Sequence, residues 1–310
     1  MFVFKRSLLV PMLVLAAAAC DQGVAAPPIS DADYQTAYNK FLQTRALQLV
    51  TAGKPNSYTG LRWLKQGTST VGADTTNAVV LTGRNIPPVI GTLTRTGNAV
   101  TFEPARGVAV MIDSAPAVAG TLTPDDGPKP ASRVDVGTAG FRIMKRVDSV
   151  GVRSWDADRA VTTNVEPLQY FKPDQAWRLG GQFVKRAKPD TQALATSSGV
   201  AEVYIDVGTV KTKIDGQPYE LTAYAGKDKT DLFFTFSDAT SGDETYGFRF
   251  FHAPLDTIAN TAVIDFNMSY NPDCAFSAYT TCPLPPVNNR ITARITAGEK
   301  IVKHVGAAKP

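Results

Sequence analysis

The residues best suited to chemistry lie between Asp238 and Lys300. Glu244 with Asp265 or Asp238 offers a carboxylate pair, in which one acid protonates a leaving group and the other activates water or attacks. Tyr246, Tyr270 and Trp177 could stack on a sugar beside such a pair. Arg249 with Asp265, next to Asn267, Tyr270 and Asn271, could instead build a binding pocket in which the guanidinium clamps an anion. The same residue types also make buried networks that hold turns such as Tyr270-Asn271-Pro272, because buried polar groups need partners. Both readings are open at the level of sequence. Cys274 and Cys282 are close in the chain, and in an oxidising compartment such a pair is expected to form a disulfide. A thiol nucleophile or a two-thiolate metal site would need a nearby His or further ligands, so no metal and no cofactor are expected. The histidines are His252 and His304. No G-x-S-x-G elbow accompanies them, and His252 is expected in solvent at a strand end.

These residues must be carried by strands. After Tyr58 the chain is a series of short apolar runs broken by Gly, Pro, Asn and Asp, including Ala78–Leu81, Phe141–Met144, Leu232–Phe236, Phe248–Phe251, Val263–Phe266 and Arg290–Ile295. Runs of this kind predict sandwiches or barrels. Alternation puts Glu244, Tyr246, Phe248 and Phe250 on one face of their run and Arg249 on the other. With Ile264 and Phe266 in a core, Asp265 and Asn267 emerge together opposite, and adjacent strands would let Arg249 meet Asp265. Before Tyr58, Ser30 reads as an N-cap, and Tyr34, Ala37, Tyr38, Phe41 and Leu42 recur at helical spacing. The expected fold is mainly β: an amphipathic helix over 31–52, a β-sandwich over 58–155, and a second sandwich or barrel-like unit over 165–303, with a polar boundary near Asp156–Pro167.

Composition narrows the function classes. The chain has 310 residues, 44% hydrophobic, with a formal charge of +4. Its basic doublets, Lys145-Arg146 and Lys185-Arg186, are dispersed and read as solvated strand ends. Nucleic acid is therefore not an expected partner. At the N-terminus, Lys5 and Arg6 precede an apolar stretch, Leu8 to Ala19, that ends in Ala17-Ala18-Ala19-Cys20. That is the length of a secretory h-region and too short for a permanent span. Small residues before Cys20 resemble the lipobox of bacterial lipoproteins, although Ala17 stands where the usual leucine would. The resemblance implies a signal peptide over 1–19, an acyl group on Cys20, a tether over 20–30, and an extracytoplasmic protein anchored to a membrane of the cell envelope.

Two further resemblances follow. Val71-Gly72-Ala73-Asp74-Thr75-Thr76-Asn77-Ala78-Val79-Val80-Leu81 and the stretch Arg133–Met144 resemble a forkhead-associated domain. Ala73 stands in place of the family's Arg, and Arg84-Asn85-Ile86-Pro87 replaces its recognition loop, so a sandwich is implied without phosphopeptide binding. The segments 238–250, Asp265-Phe266-Asn267, Tyr270-Asn271-Pro272, Thr281-Cys282-Pro283, Asn289-Arg290 and Ala297-Gly298-Glu299-Lys300 resemble domain of unknown function 1684, with a likeness reaching back to Leu61-Arg62-Trp63-Leu64. Asn288 stands where that family usually has Glu. The resemblance implies no established activity. The sequence thus favours an envelope lipoprotein that is a structural module or binds a small ligand, a glycan or an envelope protein; the alternative is a hydrolase using Glu244 and Asp265.

Overall fold

The computed structural model describes residues 24–162 and 167–302; the stretch 1–19 expected as a signal peptide, Cys20 and His304 lie outside the described residues. Helix α1 (Asp31–Val50) starts where Ser30 Oγ accepts the Asp33 amide at 3.1 Å, with Asp31 and Asp33 at the positive helix end. Its buried face is not an apolar stripe. Tyr34, Tyr38, Arg45 and Leu49 point inward, while Ala37 and Leu47 are exposed. The helix is therefore fixed by polar and aromatic contacts rather than by a greasy seam.

The first β unit contains β1 (Tyr58–Trp63), β2 (Gly67–Gly72), β3 (Val79–Val80), β4 (Gly91–Thr96), β5 (Ala99–Pro104), β6 (Met111–Ile112), β7 (Ala115–Pro116), β8 (Gly120–Thr121), β9 (Val134–Val136), β10 (Ala139–Arg146) and β11 (Ser149–Asp156). They form one sheet in the order β1-β11-β10-β9-β6-β7 and another in the order β3-β2-β4-β5-β8. Leu93, Phe102, Phe141, Ile143 and Val152 fill the space between the sheets. A short helix, α2 (Ala157–Thr162), follows.

The second unit is a closed six-stranded barrel of β12 (Arg178–Leu194), β13 (Glu202–Ile214), β14 (Gln217–Ala225), β15 (Asp231–Phe236), β16 (Arg249–Asp256) and β17 (Thr261–Asp265). Closure between β12 and β17 removes the open edges that strands otherwise expose. Phe234, Phe236, Phe251, Ile264 and Phe266 form its core. The run Arg290–Ile295, expected as a strand, is irregular in the structure. Its Ile291 and Ile295 enter the barrel core, and its backbone is tied by Ile291 N to Ser237 O at 2.8 Å and Ala239 N to Ala293 O at 3.1 Å. Residues 244–248, expected as strand, are likewise loop, so β16 begins at Arg249.

Asn289 shows what holds this irregular segment. The ladder between β14 and β15 is short, with Tyr224 opposite Phe233 and Ala225 opposite Leu232. Beyond it the Asn289 side chain takes the place of a backbone strand: Oδ1 accepts Thr222 N at 2.7 Å, and Nδ2 donates to Thr222 O and Thr235 O at 3.0 Å each. Asn289→Ala strands these buried groups, and a loss of about 3 kcal/mol is expected in urea unfolding. A loss within experimental error would remove this role.

The two units meet through arginines. Arg146, expected in solvent, is buried; Nη1 donates to Asp125 Oδ1 at 2.8 Å and Nε lies 3.2 Å from Glu202 Oε1. Its pairing with carboxylates from both units offsets the cost of burying the charge. Arg153 Nε donates to Tyr279 O at 2.8 Å and stacks over Tyr58, 5.0 Å from the ring centre. At the other side of the barrel, residues 24–28 lie along β12, where Arg178 Nη1 donates to Pro27 O at 2.6 Å. Gly180 permits this approach, since a Cβ there would fall 2.4 Å from Val24 O.

Candidate functional site

Arg249 opens β16 and is wholly buried, but it does not meet Asp265. Its Nη2 donates to Asp238 Oδ1 at 3.1 Å and Ile295 O at 3.3 Å, and its Nη1 donates to Ser269 Oγ at 3.3 Å and to Ala297 O. The reason lies in the barrel. β16 and β17 pair only near their hairpin, at Leu255 with Ala262 and Asp256 with Thr261, whereas Arg249 pairs toward Phe236 and Asp265 toward Arg178. Asp238 in turn accepts Thr240 Oγ1 at 2.8 Å and Ile295 N at 2.8 Å. Arg249 and Asp238 therefore pin the loop after β15 to the segment that plugs the core.

Asp265 ends β17 and faces α1. Its Oδ1 accepts Asn267 N at 3.0 Å, Asn267 Nδ2 at 2.9 Å and Tyr34 Oη at 3.4 Å. Asn267 Nδ2 also donates to Asp174 O at 2.8 Å. Burial raises the Asp265 pKa above the ordinary carboxylate value, against the opposing effect of the Asn267 hydrogen bonds. A raised folded-state pKa means that the folded protein binds more protons than the unfolded chain, so this group's stabilisation is present at low pH and fades as pH rises through the folded value. The melting temperature of wild type minus that of Asp265→Asn should therefore decline as pH is raised from about 4 toward neutrality. A difference that grows with pH would contradict this sign.

Asn271 is also enclosed. Its amide N donates to Glu299 Oε2 at 2.8 Å, its Nδ2 donates to Lys300 O at 2.8 Å, and its carbonyl accepts Arg45 Nη2 at 2.7 Å. Glu299 also accepts Arg45 Nε at 2.6 Å and Tyr170 Oη at 3.3 Å. Glu244 pairs with Arg294 near the surface. Glu244 and Asp265 are thus each held by separate partners, and the structure brings them into no shared contact.

Cys274 and Cys282 are free thiols, which corrects the expected disulfide. The two thiols stay within hydrogen-bonding reach of each other: Cys274 N donates to Cys282 Sγ at 3.2 Å, Tyr246 Oη donates to Cys274 Sγ at 3.7 Å, and the Cys282 thiol donates to Thr280 Oγ1 at 3.9 Å. Cys282 packs with Phe248, Phe250 and Tyr270. Its hydrogen bond with Cys274 and its burial push its thiol pKa up, and the same bond pulls that of Cys274 down.

Of the expected binding residues, Tyr270 alone opens on a cleft. Its backbone bridges Phe250 in both directions at 2.9 Å, which lays the ring along the outer wall of the barrel. Here Phe233 and His252 are cross-strand partners on β15 and β16, with Asp231 two residues before Phe233 on the same face. His252 is half-buried within the strand, which corrects its expected place in solvent. Its ring stacks parallel to Tyr270 at 6.4 Å and packs on Phe233 at 5.3 Å. Its Nδ1 lies 2.8 Å from Asp231 Oδ2, which also accepts Lys227 N at 2.8 Å. α1 forms the opposite wall with Phe41, Thr44 and Gln48, and Met268 and Lys227 complete a cleft of about 310 Å³. Arg45 stands over Tyr270 at 5.0 Å, but its guanidinium is taken up by Glu299, Gln48 and Asn271.

A larger cleft of about 660 Å³ lies at the start of α1, beside Gln35, Phe171 and Trp177. Its acids are occupied, with Asp31 accepting Gln175 Nε2 at 2.7 Å and Asp174 accepting Ala176 N at 2.8 Å. The sequence reading missed His252 with Asp231 and the burial of Arg45. The signal for the first was a polar pair, Asp231 and His252, on the outward phase of two strands whose other phase is Leu232, Phe234, Phe251 and Ala253.

The molecule is thus a two-unit β protein whose C-terminal barrel is braced by a helix laid over its outer wall. Residues 163–300 match the family described as "Protein of unknown function (DUF1684)", so the chain carries a domain of that family. The match begins after the first β unit and does not take in Leu61–Leu64. Among solved structures, an uncharacterized protein of Haloarcula marismortui, determined by solution NMR, is 33% identical, with the alignment covering 44% of this chain and 76% of that one at a TM-score of 0.38. No curated protein matches the chain.

Proposed function

We propose that the protein is a cell-envelope lipoprotein, held to a membrane by an acyl group on Cys20, whose barrel unit binds a small organic ligand in the cleft between α1 and β15–β16. The cleft carries this reading. It is concave, and it sets the apolar surfaces of Tyr270, Phe41 and Met268 beside the polar side chains of Thr44, Gln48, Lys227, Asp231 and His252, so a ligand with a flat apolar body and a polar end finds partners for both. Lys227 is exposed at its edge and is a cation for a carboxylate. A flat aromatic acid fits both features. The N-terminal wording, Lys5-Arg6 followed by an apolar stretch and Ala17-Ala18-Ala19-Cys20, supports export and lipidation. No described helix is long and apolar enough to cross a membrane. The first unit is read as a forkhead-associated-like scaffold without phosphopeptide binding, on the strength of Ala73 and the Arg84–Pro87 replacement.

Two measurements test the reading. Metabolic labelling with a fatty acid should tag wild type and not Cys20→Ser, and an unlabelled wild type would overturn the anchor. 4-Acetamidobenzoate should raise the melting temperature of wild type, and less so that of Lys227→Met. The absence of any shift at millimolar ligand would overturn the binding site.

A further inference from the structure

We propose that His252 and Asp231 form a general-base dyad that makes the cleft an esterase site for small aryl or alkyl esters bearing a carboxylate. The inference rests on the cleft being a ligand site. The 2.8 Å contact between His252 Nδ1 and Asp231 Oδ2 suits the imidazole tautomer that carries its proton on Nδ1, in which Nε2 is the acceptor. Asp231 is itself fixed by the Lys227 amide at 2.8 Å, and the imidazole is held between Phe233 and Tyr270. A base whose tautomer and ring plane are both set by neighbours is a prepared proton acceptor.

The surroundings select the reaction. Of the hydroxyls lining the cleft, Thr44 donates its Oγ1 proton to Lys40 O at 2.8 Å, and burial pushes the Tyr270 phenol pKa up, so the nucleophile is water rather than a side chain. His252 Nε2 removes a proton from water as the oxygen bonds to the acyl carbon. The tetrahedral adduct then breaks its bond to the leaving oxygen, which takes the proton back from the imidazolium. Ester and water give acid and alcohol, with no change of oxidation state. Tyr270 and Phe41 receive the apolar part of the ester, and Lys227 receives its carboxylate.

The test compares hydrolysis of 4-acetoxybenzoate with that of phenyl acetate. Wild type should turn over 4-acetoxybenzoate, with kcat reduced about 100-fold or more in His252→Gln and in Asp231→Asn, the latter because an amide no longer enforces the tautomer. Lys227→Met should raise KM for 4-acetoxybenzoate more than for phenyl acetate. Retained melting temperatures and retained binding of 4-acetamidobenzoate by His252→Gln would show that chemistry and not folding was lost. Turnover unchanged in His252→Gln overturns the dyad. Binding of 4-acetamidobenzoate without any turnover by wild type also overturns it and leaves the ligand site standing, whereas loss of both removes the two together.

Discussion

Asp238→Ala is expected to destabilise the protein by about 3–5 kcal/mol, the usual cost of leaving one member of a buried ion pair without its partner. Both side chains of the Asp238–Arg249 pair are 0% exposed. Without Asp238, the Arg249 guanidinium keeps the carbonyls of Ile295 and Ala297, the Ser269 hydroxyl and the Phe236 ring but loses its paired carboxylate, and Thr240 N and Ile295 N lose their acceptor. Burial already pulls the Arg249 pKa down against the pull of Asp238, so removing that carboxylate takes away most of what opposes the cost of burial, with the Glu299 charge left as the smaller favourable contribution. Urea unfolding of Asp238→Ala, Arg249→Met and the double variant measures this. The double variant should lose clearly less than the sum of the two single losses, because it has no unpaired charge. Additive losses would show that the two side chains act independently.

The second large effect is at the seam between α1 and the barrel. Glu299 is 0% and Arg45 4% exposed, and Glu299 also holds Asn271 N and Tyr170 Oη. Glu299→Ala should again cost about 3–5 kcal/mol. Its distinguishing mark is local: α1 amides should lose hydrogen-exchange protection while those of β4, β5 and β10 in the first sandwich keep theirs. Uniform loss across both units would mean that the pair supports the whole fold rather than the seating of the helix. Because α1 is one wall of the cleft, the same variant should bind 4-acetamidobenzoate less well than wild type.

The helix was legible from its Ser30 cap and the spacing of Tyr34 and Tyr38, and the barrel strands from the apolar run Leu232–Phe236 and the inward pair Ile264 and Phe266. β12 was not. Its run Arg178–Leu194 is largely exposed beyond Phe183 and carries an irregularity between Lys185 and Asp190, so alternation is weak. Arg290–Ile295 misled in the opposite way, because Ile291 and Ile295 reach the barrel core from a chain that is not a strand. Charged wording was the hardest to place. Arg249, Asn267 and Asn271 were recognised as belonging together, and they do lie in one buried region, but Arg249 takes Asp238 rather than Asp265. Partner choice depended on how far β16 and β17 diverge, which side-chain types do not encode. Arg45 was silent because a basic residue on a helix normally faces water, and its carboxylate lies at the far end of the chain.

The polar residues of the barrel unit fall into a buried frame, held by Arg249, Asp238, Asn289 and Glu299, and a working cleft around His252. Amide NMR spectra of the protein titrated with 4-acetamidobenzoate test that division. The division predicts perturbations centred on Thr44, Gln48, Lys227, His252 and Met268, with the amides of Arg249 and Asn289 unmoved. Perturbations centred instead on Gln35, Phe171 and Trp177 would place the ligand in the other cleft and contradict it.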